Sequence, residues 1–344
     1  MQVSILGATG YAGVELLRIL HNHPEVDIAY LTSEGSTGKK ISDIYGHLRG
    51  IYDQVLISID NIEKIAAASD FIFICLPHGH AMQVGKALEN TKTRIIDLGA
   101  DYRFADTATY EEWYKVKHIH KNTARVYGLA ELHRQEIKTA KIIGNAGCYP
   151  TASILALAPL VKQHLIDPST IIIDAKSGAS GAGRSAVVAN QLPELYDNFK
   201  AYGVASHRHT PEIEQELSSL VGKNVILNFT PHLLPMARGI LSTCYAKLLP
   251  GVTAEKVDDA FNQLYASEFF IRLLGRGAYP TTKNVRGSNY CDIGWQVDKR
   301  TGRVIVLSAI DNLVKGAAGQ AVQNFNIACG FDEKTGLSMT PMYP

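Results

Sequence analysis

The sequence has few cysteines, and their arrangement excludes two classes of protein. The five cysteines are odd in number and far apart, and none forms a C-x-x-C pair. A disulfide framework and a zinc site are therefore not indicated, and the reducing cytoplasm is the expected compartment. No apolar run approaches the ~18 residues of a membrane span. Met1 leads directly into a strand-like run without a basic segment, so we expect no signal peptide.

Net charge is nearly absent. The 34 basic and 33 acidic side chains among 344 residues give a formal net charge of +1 at pH 7. There is accordingly no basic footprint for nucleic acid, and we expect a small-molecule partner rather than nucleic acid or a membrane. An apolar share of 46% and a charged share of 19% are those of an ordinary globular protein. The length suits two domains.

The order of the predicted elements changes along the chain. Up to about residue 165, β-branched runs alternate with amphipathic segments, which predicts an α/β domain with a Rossmann-type parallel sheet. Its strands are expected at 2–6, 26–32, 70–75, 94–97 and 141–144, with a helix at 11–23. Later strands, expected at 170–176, 224–231, 240–248, 290–297 and 303–310, indicate an α+β domain with a mostly antiparallel or mixed sheet. We expect a first domain over residues 1–148, completed by a helical C-terminal segment at 313–344, and a second domain over 149–312.

Three glycines occupy the first strand-to-helix turn. Gly7, Gly10 and Gly13 form a G-x-x-G-x-x-G pattern, and Thr9 stands where the strict G-x-G-x-x-G pattern has its second glycine. Glycines let the backbone approach a pyrophosphate, and the amino end of the helix supplies N–H groups. The position predicts dinucleotide binding, and the alternative is a glycine-rich turn without a ligand. The residues assigned to this cradle are Gly7, Thr9, Gly10, Tyr11, Ala12 and Gly13.

The end of the second predicted strand indicates which dinucleotide binds. An acidic residue there favours NAD, whereas small polar and basic residues accommodate the 2′-phosphate of NADP. Ser33, Ser36 and Lys39 favour NADP, and Glu34 favours NAD. We predict NADP(H) as the cofactor, and we assign Pro77, just after the third predicted strand, to the same site.

One cysteine has the setting of a nucleophile. Cys148 lies in the run GNAGCYPT, before a helical run at 152–164, with Pro150 at a favourable early helical position. A helix amino terminus lowers the pKa of a thiol from its free value of ~8.5, so Cys148 is the predicted nucleophile and core packing is the alternative. Pro159 within the helical run indicates a kink or a wrong assignment. Two other cysteines lie in strand-like apolar runs and are interpreted as core thiols: Cys75 and Cys244.

A dense polar cluster, SHRHTPEI, follows at residues 206–213. Thr210 is predicted to cap a helix that begins at Pro211. His209 would then lie at the positive end of that helix, which favours the neutral imidazole that a general base needs. His207 and Arg208 are suited to hold an anionic substrate, and the alternative is a surface loop without a chemical role. Two H-x-H pairs, His78/His80 and His207/His209, have no obvious third and fourth ligand at useful spacing, so no metal site is predicted.

Two arginines and a small-residue loop complete the candidates. Arg103 follows a predicted strand end, where a parallel sheet gathers its ligands, and is suited to bind a phosphate. A surface salt bridge is the alternative. Arg238, in the run PHLLPMARG, is a second candidate for anion contact. The loop at 177–183 suits close approach by cofactor or substrate, and a mobile connector is the alternative.

Taken together, these motifs resemble those of the N-acetyl-gamma-glutamyl-phosphate reductases, which are relatives of aspartate-semialdehyde dehydrogenase. The likeness runs over nearly the whole chain. It rests on the order and spacing of GATGYAG, DLGADYRF, VYGLAEL, GNAGCYPT, SGASGAGR, HRHTPEI, PHLLPMARGIL and DNLVKGAAGQAVQN. Ala146 departs from the pattern, because the family often has proline before the Gly-Cys pair, and this concerns loop rigidity more than the chemistry.

The resemblance implies that Cys148 is the nucleophile and His209 the acid/base, that Arg103 meets the phosphate of an acyl phosphate, and that Asn312 contacts the cofactor. It also implies NADP bound by the first domain, catalysis and dimerisation in the second, and a homo-oligomer, either a dimer or a tetramer. The residues expected at the substrate are Arg103, Asn145, His207, Arg208, Glu212 and Arg238. Those expected at the cofactor beyond the cradle are Ser33, Ser36, Lys39, Pro77, Ser177, Gly178, Gly181 and Asn312.

The expected reaction is the NADPH-dependent reduction of N-acetyl-gamma-glutamyl phosphate to N-acetylglutamate 5-semialdehyde and phosphate through a cysteine thioester, a step of arginine biosynthesis. The thioester step makes physical sense because a carboxylate is a poor hydride acceptor. Aspartyl phosphate and aminoadipyl phosphate are alternative substrates, and the residue chemistry does not distinguish them from the acetylglutamyl substrate. The residue chemistry also leaves open whether His207 or His209 is the base. A non-catalytic dinucleotide sensor is an alternative of another class, but it leaves Cys148 and the 206–213 cluster unexplained.

Overall fold

A computed structural model describes residues 1–185, 188 and 191–343, and in it the chain forms two compact units. The first unit comprises Met1–Ala146 and Ala317–Ser338, and the second comprises Gly147–Gly316 together with the segment that starts at Met339. Within the described residues, no helix combines the length and the apolar character needed to cross a membrane.

The first unit, all of whose residues are described, contains a six-stranded parallel sheet. Its strands are β1 (Gln2–Leu6), β2 (Asp27–Leu31), β3 (Phe71–Ile74), β4 (Arg94–Asp97), β5 (Val126–Gly128) and β6 (Ile142–Asn145). Their order is β2-β1-β3-β4-β6-β5, and every pairing is parallel. All of β3 and most of β1 are buried, as in the inner strands of a parallel sheet. The order reverses between β1 and β3, and such sheets bind ligands beyond the strand ends at this point.

Helices connect these strands. They are α1 (Tyr11–Leu20), α2 (Ile41–Ile44), α3 (Ile62–Ala67), α4 (Ala81–Ala87), α5 (Thr107–Tyr114) and α6 (Ala130–Thr139). The helix predicted over 11–23 ends at Leu20 because tighter turns follow it: Asn22 N–H donates to Ile19 O and His23 N–H to Leu20 O. The edge strand β5 was not predicted, since three residues are too few to show a period.

The second unit contains a mixed sheet, of which seven strands lie in the described residues. They are β7 (Ile166–Gly178), β8 (Lys200–Ala201), β9 (Asn228–Leu234), β10 (Ile240–Leu248), β11 (Ile271–Arg276), β12 (Cys291–Asp298) and β13 (Arg303–Ile310). The order is β11-β12-β13-β10-β7-β9-β8, with parallel pairs only at β11/β12 and β7/β9 among these strands. The helices are α7 (Cys148–Lys162), α8 (Leu192–Leu195), α9 (Thr210–Val221) and α10 (Ala254–Tyr265). The predicted fold class is confirmed for both domains.

The helix α7 is the buried helix of the second unit, and every residue from Tyr149 to Val161 is buried. It continues through Pro159, which lacks the N–H that would bond to Leu155 O. Tyr265 of α10 replaces that donor, because its hydroxyl donates to Leu155 O at 2.8 Å. The helical interpretation is therefore confirmed, and the helix begins at Cys148, earlier than predicted.

The chain returns to the first unit through an irregular helical segment. Val314–Ala318 form a π-helix, which is followed by α11 (Gly319–Cys329). The Asn324 side chain of α11 donates to Gly128 O at 2.9 Å and to Asn145 Oδ1 at 3.0 Å, which anchors this helix in the first unit.

The units divide at 146/147 and 316/317, whereas the predicted boundaries were 148/149 and 312/313. Asp311 explains the second difference, because its carboxylate accepts hydrogen bonds from Leu313 and Val314 N–H and keeps that turn in the second unit. The segment from Met339 also belongs to the second unit rather than the first, since Met342 N–H donates to Arg286 O at 2.8 Å.

Candidate active site

The carboxyl edge of the first sheet has the shape of a phosphate cradle. Gly7 has a φ of +82°, and a β-carbon on it would lie 2.6 Å from Cys75 O. A β-carbon on Gly13 would lie 2.7 Å from Gly7 O. Both positions therefore require glycine, because the turn packs tightly against the end of β3 and against the start of α1. The other predicted cradle residues lie in the same turn or in the first turn of α1: Thr9, Gly10, Tyr11 and Ala12.

The loop after β2 uses its acidic residue internally. Glu34 Oε1 accepts from Ile59 N–H at 2.8 Å, and Ser58 Oγ donates to Glu34 Oε2 at 3.3 Å. The carboxylate that favoured NAD is thus bonded to the loop before α3. Ser33 Oγ lies 2.8 Å from Thr9 Oγ1, beside the cradle. Two further predicted cofactor residues follow on this loop, one half-buried and one exposed: Ser36 and Lys39.

The loop after β3, which carries Pro77, is fixed by a carboxylate that sequence reasoning missed. Asp101 accepts from Gly79 N–H at 2.7 Å, from Met82 N–H at 3.1 Å and from Tyr110 OH at 2.8 Å. Pro77 is exposed at the start of this loop, on the β3 side of the point where the strand order reverses. The motif DLGADYRF contains Asp101, but only the fold reveals which loop the carboxylate holds.

Arg103 and Asn145, both predicted to meet the substrate, are built into the first unit. The buried guanidinium of Arg103 donates from Nε to Asn145 O at 2.8 Å and from Nη2 to Leu98 O at 3.0 Å. The Asn145 amide donates to Ala317 O and accepts from Asn324, both at 3.0 Å. These bonds fix the end of β6, three residues before Cys148, and substrate contact by either residue stays a prediction.

Cys148 is the first residue of α7, at the helix amino terminus that the sequence predicts. Gly147 is its N-cap, and Thr151 N–H closes the first turn on Gly147 O at 2.8 Å. Gly316 packs against this cysteine, since a β-carbon there would stand 2.7 Å from Cβ of Cys148. The Cys148 side chain is half-buried, and the first-turn N–H groups of a helix suit an oxyanion on the attached carbon.

Of the other cysteines, Cys244 and Cys291 are buried, whereas Cys75 and Cys329 are half-buried. Burial raises the pKa of Cys75, and it raises the pKa of Cys244 to about 12 and that of Cys329 to about 11. Cys291 is buried in β12. The thiols of Cys75, Cys244 and Cys329 therefore stay protonated near neutral pH, which agrees with the core interpretation of Cys75 and Cys244.

The predicted start of α9 was wrong by one residue. The helix begins at Thr210 with His209 as its N-cap, and Ile213 N–H donates to His209 O at 3.1 Å. Thr210 is therefore not the cap, and its buried hydroxyl makes no hydrogen bond among the described residues. Pro211 explains the error, because a proline loses no helical bond at either of the first positions and so does not fix the start. His209 still lies at the positive end of the helix dipole.

His207 and His209 pack together, with ring centroids 4.9 Å apart. The backbone N–H of His209 donates to His207 Nδ1 at 3.1 Å, so that nitrogen acts as an acceptor. Burial lowers the pKa of His207 to about 4, and this ring is therefore neutral near pH 7. Three further aromatic rings face it: Tyr149, Tyr202 and Phe229. His207 thus belongs to a cluster of packed aromatic rings beside His209.

Tyr149, which follows Cys148 in the chain, was also missed by the sequence analysis. Its ring lies 6.0 Å from the ring of His209, and its hydroxyl donates to His232 O at 3.1 Å while accepting from Tyr202 OH at 3.1 Å. Burial raises the pKa of Tyr149, and it raises that of Tyr202 to about 12, so both phenols stay protonated. The only signal in the sequence was the position of Tyr149 directly after Cys148.

Glu212 lies next to the N-cap of α7 rather than at the surface. Its carboxylate is fully buried, and Oε1 accepts from Gly147 N–H at 2.8 Å. The first turn of α9 is thereby bonded to the N-cap of α7. Arg208, between the two histidines, is exposed.

The turns after β7, β9 and β13 meet at Asn312, which was predicted to contact the cofactor. Its Oδ1 accepts from Gly239 N–H at 2.7 Å, and its Nδ2 donates to Ser180 Oγ at 2.9 Å. Arg238 Nη1 lies 3.6 Å from Oδ2 of the buried Asp311. The remaining predicted cofactor residues lie in this second unit, at the end of β7 and in the loop after it: Ser177, Gly178 and Gly181.

The second unit thus combines a cysteine at a helix amino terminus, a histidine at a second one and a buried carboxylate that joins them. This arrangement suits attack on an acyl carbon, with the helix N–H groups available to an oxyanion. Among the residues that the structure describes, no three His, Cys, Asp or Glu side chains converge as metal ligands.

Two family models match consecutive parts of the chain. The semialdehyde dehydrogenase NAD binding domain matches residues 2–140, within the first unit. The semialdehyde dehydrogenase dimerisation domain matches residues 148–312, within the second unit. The two matches support the division into a dinucleotide-binding part and a part that carries Cys148.

Relatives match the chain from end to end. It is 53% identical to the N-acetyl-gamma-glutamyl-phosphate reductase of Pelotomaculum thermopropionicum, covering 100% of this chain and 99% of the relative. It is also 53% identical to the N-acetyl-gamma-glutamyl-phosphate reductase of Geobacter metallireducens, with 100% of both chains covered.

Solved structures share the fold at low sequence identity. Aspartate semialdehyde dehydrogenase II of Vibrio cholerae, complexed with ASA, matches with a TM-score of 0.71 and 17% identity over 96% of this chain and 98% of its own. The aspartate semialdehyde dehydrogenase of Candida albicans with NADP matches with a TM-score of 0.70 and 18% identity over 95% of this chain and 97% of its own. From the full-length relatives and both domain matches, the chain belongs to the N-acetyl-gamma-glutamyl-phosphate reductase family of semialdehyde dehydrogenases.

Proposed function

We propose that this chain reduces N-acetyl-gamma-glutamyl phosphate with NADPH to N-acetylglutamate 5-semialdehyde and phosphate, as a step of arginine biosynthesis. The observation that carries the proposal is Cys148 at the first position of a buried helix, with the amino terminus of α9 bonded to its N-cap. Other acyl phosphates would need the same cysteine, and the relatives named for the acetylglutamyl substrate favour that one. Because the nucleophile must stay a reduced thiol, the proposed compartment is the cytoplasm.

The first unit fits NADP(H). The glycine turn lies between β1 and the amino end of α1, next to the point where the strand order reverses, which supports a pyrophosphate at α1. Glu34 is hydrogen-bonded to the loop before α3, so its carboxylate is less available to accept a hydrogen bond from the ribose 2′-hydroxyl of NAD. This supports the form of the cofactor with a 2′-phosphate, held by Ser33, Ser36 and Lys39.

The reaction begins with Cys148 as a thiolate. Its sulfur forms a bond to the acyl carbon, the bond from that carbon to the phosphate oxygen breaks, and phosphate leaves a thioester behind. The proton that His209 accepted from the thiol when the thiolate formed passes to the departing phosphate oxygen. The low pKa of His207 supports His209 as the base, because a ring with a pKa of about 4 is a weak proton acceptor near pH 7.

When bound, NADPH supplies the hydride that reduces the thioester carbonyl. The N–H groups in the first turn of α7 stabilise the oxyanion on the carbon attached to Cys148. When this thiohemiacetal collapses, the carbon–sulfur bond breaks, the aldehyde leaves and the thiolate takes a proton from water. Arg103 is proposed to hold the phosphate, since a planar guanidinium matches its oxygens. Three further residues stay in the proposal as substrate contacts: Asn145, Arg208 and Arg238.

We also propose a homo-oligomer that forms on the open side of the second sheet. Ile172 of β7 pairs with Tyr245 of β10, which pairs with Ile305 of β13. Ile172 is 41% exposed, whereas Ile171 and Ile173 are buried, so this apolar row lies on the solvent side. An apolar patch of this kind, in a part of the chain that matches a dimerisation domain, supports docking of a second copy.

The test is the reverse reaction, followed as NADPH absorbance with N-acetylglutamate semialdehyde, NADP and phosphate. NADPH formation that depends on phosphate and is abolished by alkylation of the thiols would support the reaction and a cysteine nucleophile. Turnover with aspartate semialdehyde alone would keep the mechanism and change the substrate. Tight NADPH binding without turnover of either aldehyde would contradict the enzymatic function.

A further inference from the structure

We propose that Glu212 is a positioning residue for the nucleophile and makes no contact with the substrate, an inference that rests on the proposed function. Glu212 is the third residue of α9, and none of its side chain is exposed. A glutamate at this position commonly bonds back to the N-cap of its own helix. Here Oε1 instead accepts from Gly147 N–H, on another helix, at 2.8 Å.

Gly147 connects the Glu212 carboxylate to the proposed nucleophile. It is the N-cap of α7 with an extended backbone, φ −69° and ψ 157°, and Cys148 is the next residue. The N–H of an N-cap residue has no acceptor within its own helix. The Glu212 carboxylate therefore fixes the Ala146–Gly147 peptide, which ends one residue before Cys148 and sets where the first turn of α7 begins. Gly316 restricts the same cysteine at its β-carbon, since there is no space there for another side chain.

The same bond links the nucleophile to the proposed acid/base. His209 is the N-cap of α9, and Glu212 follows three residues later, so one helical turn carries both. α9 packs against α7 and buries Ile213 and Leu217. A sliding movement of α9 along α7 would change the separation of His209 from Cys148. The bond from Gly147 to Glu212 opposes that movement.

The experiment compares E212A and E212Q with a matched control, E216A. Glu216 lies one turn later on α9 and is also buried. Its carboxylate accepts a hydrogen bond from the Gln215 side chain at 2.9 Å. We expect E212A to lower kcat about 100-fold, the effect of a misplacement near 1 Å. The KM for N-acetyl-gamma-glutamyl phosphate and the Kd for NADPH should stay within about twofold. E212Q, whose amide oxygen still accepts, should recover to within about fivefold of wild type, and E216A should keep the wild-type kcat.

A second readout needs no substrate. The rate of Cys148 alkylation by iodoacetamide, taken at the high-pH plateau where the thiol is fully ionised, reports access and orientation rather than charge. We expect the alkylation rate at this plateau to change in E212A and to stay near the wild-type rate in E212Q and E216A. If E212A does not fold, E212D, one methylene shorter, takes its place in the comparison.

Two results would overturn the proposal. A wild-type kcat with a raised KM in E212A would mean that Glu212 touches the substrate. Lost turnover with an unchanged alkylation plateau would mean that it does not position Cys148. If the wild-type enzyme fails to reduce N-acetyl-gamma-glutamyl phosphate, the proposed function fails, while the alkylation comparison still decides the role of Glu212.

Discussion

Gly316 lies directly against Cys148, so that a β-carbon on the glycine would stand 2.7 Å from Cβ of the cysteine. A G316A substitution must therefore displace either the cysteine or the π-helix that contains residue 316. We expect kcat to fall about 100-fold, because a shift near 1 Å in a reacting group has that effect. The Kd for NADPH, measured by fluorescence titration, should change less than about twofold, since the cradle is in the other unit.

G46A is the matched control, because nothing lies within 4 Å of a β-carbon built on Gly46. Its kcat should equal that of wild type. A G316A enzyme with a kcat within about threefold of wild type would contradict the packing argument.

The nucleophile can be tested against a cysteine that burial protects. C148S should bind NADPH nearly normally and lose turnover, because a serine hydroxyl is a far weaker nucleophile than a thiolate. C329S should keep full activity, since burial raises the pKa of the Cys329 thiol to about 11. Peptide mass spectrometry after brief alkylation should find Cys148 modified first. Retained activity in C148S would end its assignment as the nucleophile.

His207 predicts a loss of stability in acid. Burial lowers its pKa from 6.5 in the unfolded chain to about 4 in the folded one, so the unfolded state binds more protons between these values. The free energy of unfolding therefore falls as the pH drops from about 6.5 towards 4, and the loss that comes from His207 is at most about 3 kcal/mol. Above pH ~6.5 none of this stability is lost. H207N keeps an acceptor for His209 N–H but does not titrate, so its free energy of unfolding should fall less steeply.

Urea unfolding of both proteins between pH 4.5 and 7.5 is the measurement. Burial also lowers the pKa of His23, His118 and His120, which act in the same direction and are common to both proteins. The difference between the two curves therefore isolates His207. Parallel curves would show that His207 does not titrate as described.

Cofactor choice is predicted to depend on Lys39 and not on Glu34. K39A should raise the Kd for NADPH about five- to tenfold and leave the Kd for NADH unchanged, because only NADPH carries the 2′-phosphate. E34Q should leave the preference for NADPH unchanged, since that carboxylate is bonded to Ile59 and Ser58. Titrations with both nucleotides at two salt concentrations check this. A marked gain in NADPH affinity for E34Q would mean that Glu34 faces the cofactor.

The proposed oligomer predicts a change of mass in one apolar variant. I305D places a charge in the row of Ile172, Tyr245 and Ile305 and should shift the protein to a smaller assembly in light scattering after size exclusion. I226D is the control, because Ile226 is 70% exposed and lies outside that row. An equal mass for I305D and wild type would place the interface elsewhere.

The sequence predicts the setting of Cys148 because a local pattern is enough for it, and the role of the thiol as nucleophile stays a prediction. A glycine turn between a strand and a helix defines the setting of Cys148, and the structure has that setting. The same holds for Gly7 and Gly13, whose place after the first strand already predicts close backbone approach. Predicted strands at 94–97, 240–248 and 303–310 have the bounds observed in the structure.

What the sequence could not predict depends on contacts between distant residues. Asp101 looks like any turn aspartate until the fold brings Gly79 and Met82 to its carboxylate. Glu212 sits in a polar run typical of a surface, but its acceptor bond is to Gly147, 65 residues earlier. The Thr210 cap was misplaced for a local reason, since Pro211 is compatible with two helix starts.

The Tyr265 hydroxyl that completes α7 at Pro159 has a consequence for folding. The helix that carries Cys148 lacks one internal bond, and its replacement comes from a residue 110 positions later than Leu155. A nascent chain that ends before α10 therefore leaves the Leu155 carbonyl without a donor in the middle of this helix, and an unpaired buried polar group costs stability. Because α10 supplies the missing donor, the helix that carries Cys148 reaches its full stability only after most of its own unit has been synthesised.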